Sequence, residues 1–179
     1  EPEPGVPYDV FHLLDLVTAA VGDLHAIYCL THTFPKIDDQ EQPHTTWRGA
    51  ALDANDSAIM RLHFAGGAIG TCHTTRWATG HKNTIALSVH GTRGALRIDL
   101  DAGYDKLQVC LGDRRHKARW TTRTIRPTPT IHERFVRSIR TGQQAQPDTL
   151  RGAQVQAYLD ACERSETKNG ARMEIRGWM

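Results

Sequence analysis

The stretch DSAIMRLHFAGGAIGTCHTTRW, residues 56–77, sets two strand-like runs on either side of a pair of glycines. Two such runs about a Gly-Gly are a hairpin signal, so DSAIMRLHF (56–64) and AIGTCHTTRW (68–77) are expected to pair antiparallel about Gly66–Gly67. Setting Phe64 opposite Ile69 puts Met60 and Leu62 on one face with Thr71, His73, Thr75 and Trp77. Arg61, His63, Gly70, Cys72, Thr74 and Arg76 take the other face. Neither face is cleanly apolar or cleanly polar. That mixture fits a sheet covered by helices on one side and by a second subunit on the other. A homo-oligomer through the sheet is therefore expected, and a strictly monomeric mass in light scattering would exclude it.

Three more strands follow, NTIALSVHG (83–91), GALRIDL (94–100) and DKLQVCLG (105–112). Their short connections favour antiparallel pairing, because a parallel crossover needs about a dozen residues. Upstream, LHAIYCLTHTF (24–34) reads as a strand, and PKIDDQEQPHTTWRG (35–49) as a mobile loop. Both ends of the chain turn helical. Residues 9–21 are apolar over most of a helix circumference and stop at Gly22, so this helix is expected to be buried between other elements. In TIHERFVRSIRTG (130–142), Thr130 and Glu133 form a capping box, Gly142 ends the helix, and Ile131, Phe135 and Ile139 are its expected buried stripe. A further helix within 147–170 opens at Asp148 as N-cap, and ARMEIR (171–176) is a short strand that rejoins the sheet. The class is α+β: an open, predominantly antiparallel sheet with helices on one face, in one domain over residues 1–179.

Composition narrows the function. The chain has 179 residues, 39% apolar and 23% charged, with a net charge of +2, the balance of an ordinary globular domain. Neither nucleic acid nor a membrane surface is indicated as a partner, and no apolar run approaches the ~18 residues of a membrane span. The opening EPEPGVP has no Met and no signal-peptide pattern, and it reads as the interior of a longer protein. Cys29, Cys72, Cys110 and Cys162 lie far apart with no CxxC pairing. They read as reduced, partly buried thiols of a cytoplasmic protein.

Most catalytic chemistries find no support. His63, Cys72, His73, His81 and His90 are close in sequence, but the pairing above puts Cys72 and His73 on opposite faces, and His63 opposite to His73. No metal site is expected. There is no GxSxG elbow, Ser138 and Ser165 sit on helices without an evident base, and GTRG (91–94) is a tight strand connection rather than a phosphate loop. In PYDVFHLLDLV (7–17), however, Asp9, His12 and Asp15 recur every three residues. Positions three apart on a helix are neighbours, and a carboxylate beside an imidazole fixes its tautomer and raises its basicity. Such a pair suits general acid–base transfer to a hydroxyl or carbonyl. The alternative is structural: Asp9 caps the helix, and His12 and Asp15 are satisfied by neighbouring backbone. In RWATGHKN (76–83), Arg76, Trp77, His81 and Asn83 stand near a strand end, where the alternative to a ligand site is a hairpin turn with a buried Trp.

Four segments together resemble the C-terminal domain of the Gfo/Idh/MocA oxidoreductases, the glucose–fructose oxidoreductase and inositol dehydrogenase family. They are DVFHLLDLVTAAVGDLHAIYC, DANDSAIMRLHFAGGAIGTCHTTRWATGH, IALSVHGTRGALRIDL and FVRSIRTGQQAQPDTLRGAQVQAYLDACERSETKNGARMEI. The resemblance implies a dihydrodipicolinate reductase-like α+β fold, and a separate N-terminal Rossmann domain, absent from this chain, that binds NAD or NADP. It further implies a sugar, cyclitol or related polyol as substrate, hydride transfer as the reaction, and self-association. The catalytic set it implies is a lysine of the Rossmann half with an aspartate and a histidine of the helix opening this half. His12, followed by LLD, matches the histidine. The usual Asp-x-x-x-His spacing places the acid at Tyr8, and here Asp9 stands one residue later, so either Asp9 replaces that acid or Tyr8 occupies its place. The candidate residues are thus His12 and Asp9 for catalysis, and Tyr8, Asp15, Arg76, Trp77, His81 and Asn83 for substrate, with no metal ligand and no cofactor-binding residue in this chain. A rival reading is a non-catalytic scaffold or carbohydrate-binding module that lacks a dehydrogenase half.

Overall fold

A computed structural model of the chain describes residues 10–35, 37, 40–42, 46–47, 49–52, 54–81 and 83–175. The chain forms two compact units, residues 1–78 with 149–179, and residues 79–148.

In the first unit, α1 (Val10–Val21) ends at Gly22, whose N–H bonds Thr18 O at 2.9 Å, and the chain returns as β1 (Leu24–His32). A two-residue ladder, β2 (Thr46–Trp47) with β3 (Ala50–Ala51), interrupts the segment read as loop; much of that segment lies outside the described residues. The hairpin β4 (Ser57–Phe64) and β5 (Ile69–Thr75) follows, and after the second unit the chain returns as α3 (Thr149–Glu166) and β10 (Met173–Glu174). The sheet runs β10-β1-β4-β5, every pair antiparallel, so the terminal strand does rejoin it.

The hairpin exists, but its register is one residue from the expected one. His63, not Phe64, stands opposite Ile69, and Leu62 opposite Gly70. The turn explains the slip. Phe64 O accepts from Gly67 N and Phe64 N donates to Ala68 O, both at 2.9 Å, while Gly67 takes φ +84°. This is a three-residue loop closed by a left-handed residue, which glycine adopts without a Cβ clash. A slip of one residue exchanges every side chain between faces. Met60 and Leu62 therefore share their face with Gly70, Cys72 and Thr74, whereas Arg61, His63, Thr71 and His73 lie together on the other. The mixed faces become sorted: Ala58, Met60, Leu62 and Phe64 are buried, and Ile59 and Ile69 stay 61% and 77% exposed. His63 and His73 are on the same face after all. Among the described residues no three His, Cys, Asp or Glu side chains are arranged to hold a metal ion.

Helices cover the buried face. Val10, Leu14 and Thr18, one residue per turn, are the buried stripe of α1, while Phe11, Ala19 and Ala20 face outward. The helix expected to be buried all round is therefore one-sided. From α3, Tyr158, Ala161 and Cys162 join Val10, Leu14, Ile27, Cys29, Met60 and Leu62 in one core. Fully buried Ser165 links α3 to the sheet edge. Its Oγ accepts from Cys29 N (2.8 Å) and donates to Ala171 O (2.7 Å), satisfying a strand N–H beyond the two residues that β10 pairs.

Three thiols meet in this core. Cys29 and Cys72 flank Met60 across β1, β4 and β5, and the Cys162 Sγ lies 3.9 Å from the Met60 Sδ. Burial, with Cys29 nearby, pushes the Cys72 thiol up to about 11; a hydrogen bond with Cys29, then burial, pushes Cys162 well up. All four cysteines are free. Thiolate is the reactive form, so an aromatic disulfide reagent at pH 8 is expected to leave these three thiols unmodified until denaturant is added. Labelling of any of them in the native protein would contradict the packing.

The second unit is a meander, β6 (Ala86–Gly91), β7 (Gly94–Asp99), β8 (Lys106–Leu111) and β9 (Thr121–Thr124), in the order β6-β7-β8-β9. Antiparallel pairing is as expected. The strands form two four-stranded sheets rather than one, since Arg76–Ile85, with Gly80 and no alternation, carries no ladder from β5 to β6. A 3-10 helix (Gly112–Lys117) precedes β9, a strand that its polar sequence TTRT does not announce. The helix α2 (Ile131–Thr141) has the expected capping box: Thr130 Oγ1 accepts from Glu133 N at 3.2 Å and Glu133 Oε2 accepts from Thr130 N at 2.6 Å. Its expected buried stripe is not buried, since Ile131, Phe135 and Ile139 are 57%, 66% and 68% exposed. Arg134 instead turns inward and donates to Gln146 O at 2.9 Å, so the apolar side finds no cover within the unit. The carboxylate of Asp148, the expected N-cap, accepts from the side-chain amides of Gln144 and Gln146 at 2.9 and 2.7 Å.

Candidate active site

His12 lies on the outward side of α1, opposite the Val10–Leu14–Thr18 stripe that anchors the helix. Tyr8 and Asp9 lie outside the described residues. His12 is exposed, its ring edge-on to Phe11 at 5.0 Å between centroids. Being on the surface of a packed helix, the imidazole is oriented by the backbone yet open to a ligand.

Asp15, one turn on, belongs to a different network. Arg151, in the first turn of α3, donates from Nε to Asp15 Oδ1 at 2.8 Å and from Nη2 to Asp15 O and Thr18 Oγ1 at 2.9 and 2.5 Å. Its Nη1 donates to Gln154 Oε1 at 3.0 Å and lies 4.0 Å from Asp23 Oδ1. The same side of α3 brings Gln154 and Tyr158 to Asp23, at 2.8 and 3.4 Å, and burial together with the Asp23 charge raises the Tyr158 hydroxyl. With 16% of the Arg151 side chain exposed, this is a largely dry, charge-assisted clamp between α1 and α3. No hydrogen bond joins His12 to Asp15 among the described residues. Sequence reasoning did not single out Arg151. The signal was present: Arg151, Gln154 and Tyr158 at helical spacing form one polar-tipped side on an otherwise packing helix.

The second cluster of candidates is divided. Arg76 and Trp77 belong to the first unit, His81 and Asn83 to the second. Trp77 is 51% exposed, not the buried tryptophan of a hairpin turn, and its ring meets Phe34 at 6.5 Å, as Phe34 meets His32 at 4.9 Å. This aromatic row is held by buried Asn55 and Asp56. Asp56 Oδ2 accepts from Phe34 N (2.9 Å), Asp56 O from Arg76 N (2.8 Å), and Asn55 Oδ1 from Thr33 Oγ1 (3.2 Å). Phe34 and its support were also unforeseen, since nothing in the sequence says that residues 33–34 and 76–77 end neighbouring parts of one sheet. In the second unit His81 Nδ1 lies 3.1 Å from Thr84 Oγ1, which donates to Asp101 at 2.6 Å, and Asn83 is exposed.

Among the described residues no helix is long and apolar enough to cross a membrane. Residues 1–175 match the family model described as "Oxidoreductase family, C-terminal alpha/beta domain". A levoglucosan dehydrogenase of Pseudarthrobacter phenanthrenivorans is 29% identical over 107 residues, covering 55% of this chain and 27% of that protein. Among solved structures, a levoglucosan dehydrogenase in complex with NADH and levoglucosan has a TM-score of 0.76 at 23% identity, covering 93% of this chain and 49% of its own. A WlbA dehydrogenase from Bordetella pertussis, in complex with NADH and UDP-GlcNAcA, has a TM-score of 0.66 at 20% identity, over 94% and 44% of the two chains. The chain thus spans at most about half the length of these relatives. With the fold and the family match over residues 1–175 in agreement, the chain belongs to the Gfo/Idh/MocA oxidoreductase family as its C-terminal α/β domain.

Proposed function

We propose that this chain is the substrate-binding and self-associating half of an NAD(P)-dependent oxidoreductase that acts on a sugar, cyclitol or related polyol by hydride transfer. The observation that carries the reading is His12, matched to the family's histidine and held outward on a helix pinned from behind by Arg151. Cofactor binding is assigned to the Rossmann half that the family resemblance implies. Bound there, the cofactor supplies the hydride acceptor. His12 takes the proton of the substrate hydroxyl as its carbon is oxidised and returns it in the reverse direction. Asp9, or Tyr8 in its place, orients or relays for His12. Arg76 and the Trp77–Phe34 row supply hydrogen bonding and a stacking surface. Asp15 acts on the substrate indirectly, through its anchoring of α1.

Self-association is assigned to the open side of the first sheet, where Leu30, Ile59 and Ile69 stay 56%, 61% and 77% exposed beside Tyr28 and Arg61. The test is an assay of the full-length protein with NAD or NADP against a panel of sugars, anhydrosugars and cyclitols, with the mass followed by light scattering. Reduced nicotinamide appearing with one of these classes, in an oligomer, is the expected result. Sugar binding without turnover would move the reading to a carbohydrate-binding module, and a monomeric mass would remove the self-association.

A further inference from the structure

The two units differ sharply in charge. Residues 79–148 carry thirteen Lys and Arg against six Asp and Glu, whereas the rest of the chain carries nine against fourteen. Much of the positive charge gathers at one end of the second sheet. Arg93 sits in the β6–β7 turn, and Arg114, Arg115, Lys117 and Arg119 lie in and just after the 3-10 helix. Arg115 Nη1 donates to Thr92 O at 3.3 Å, which ties the 3-10 helix to the turn bearing Arg93. Arg114 donates to the Thr121 hydroxyl on β9. Among the described residues none of these five cations is in a salt bridge, in contrast to Lys106 with Asp105 and Arg151 with Asp15. A hydroxyl, a carbonyl and the His116 ring position the two guanidinium groups, and Asp113 beside them offsets only part of the positive charge.

Like charges so close repel one another, and an anion placed among them relieves that repulsion while accepting several hydrogen bonds. A receptacle is present. Asp113, Arg114, Lys117, Arg119 and Trp120 line a depression of about 400 Å³, a volume suited to a small ligand. The Arg97 guanidinium lies 4.8 Å from the Trp120 ring centroid and holds the indole in place as one wall. We infer that this depression is a binding site for a small multivalent phosphate, with Arg114, Lys117 and Arg119 contacting the anion and Trp120 flanking it. Concavity distinguishes it from a nucleic-acid surface, which needs a stripe of cations extended along a backbone. The site lies wholly within the second unit and does not depend on the oxidoreductase reading.

The experiment is calorimetric titration of inorganic pyrophosphate into the protein at low salt, with Trp120 fluorescence followed against a Trp120→Phe variant. Saturable binding with a change in Trp120 emission is expected. Arg114→Gln with Lys117→Gln should weaken it at least about tenfold. Arg137→Gln with Arg140→Gln, which removes the same charge from α2, should leave it unchanged. Because Arg114 also holds Thr121, Lys117→Gln alone is the second variant, with about threefold weaker binding and unaltered circular dichroism. No saturable heat, or equal losses in the α2 control, would overturn the site. So would duplex DNA that binds more tightly than pyrophosphate and displaces it, since the basic end would then serve a polymer.

Discussion

Replacing His12 by alanine in the full-length protein is expected to lower turnover about 10²–10⁴-fold, the usual weight of a general acid–base residue. A carbinol carbon releases hydride readily only as its hydroxyl proton departs, so losing the acceptor raises the barrier of the chemical step itself. The change should therefore fall on kcat, with KM little altered, because the remaining contacts hold substrate and transition state alike. Folding should be nearly untouched, since His12 is exposed on α1 while Val10, Leu14 and Thr18 anchor that helix. Surface substitutions of this kind stay within about 0.5 kcal/mol. Asp9→Asn and Tyr8→Phe then show which neighbour supports it, because only the true partner should lower kcat when His12 is intact. Turnover unchanged in His12→Ala would remove the residue from the mechanism.

The elements most legible in the sequence are those whose signals are local. The α2 capping box is written in Thr130 and Glu133, and Gly66–Gly67 mark a hairpin whatever surrounds them. Register was less legible, because two glycines permit more than one loop length and only the backbone at Gly67 selects among them. Burial was least legible where it depends on partners. Ile131, Phe135 and Ile139 have the spacing of a buried stripe but no cover within their unit, and α1 has apolar residues to spare on its outer side. At the candidate site His12 could be singled out because its neighbours are in the same helix. Arg151 could not, since it lies 136 residues from Asp15 along the chain and only the packing of α3 on α1 joins them. Phe34 and Trp77 are a second case, brought together by strand ends and by the Asp56 bridge.

Arg151 carries the largest expected effect on stability. Arg151→Ala removes three hydrogen bonds to α1 at once, to Asp15 Oδ1, Asp15 O and Thr18 Oγ1. The Asp15 side chain is 41% exposed and regains water when its partner goes, which limits the loss. The buried Thr18 hydroxyl regains less, and the guanidinium stem leaves a gap between the helices. A destabilisation of about 2–3 kcal/mol is expected, read as a fall of about 5–10 °C in Tm. Arg151→Lys should recover only a minor part, because an ammonium cannot address carboxylate, carbonyl and hydroxyl from one planar fork. In a double-mutant cycle, Asp15→Ala should cost clearly less in the Arg151→Ala background than alone, as for side chains that share one contact. Additive losses would mean that the clamp contributes little and that α1 is held by Val10 and Leu14. A coupled loss, accompanied by a drop in turnover beyond the fraction unfolded, would show that the ion pair holds the helix in the position from which His12 acts.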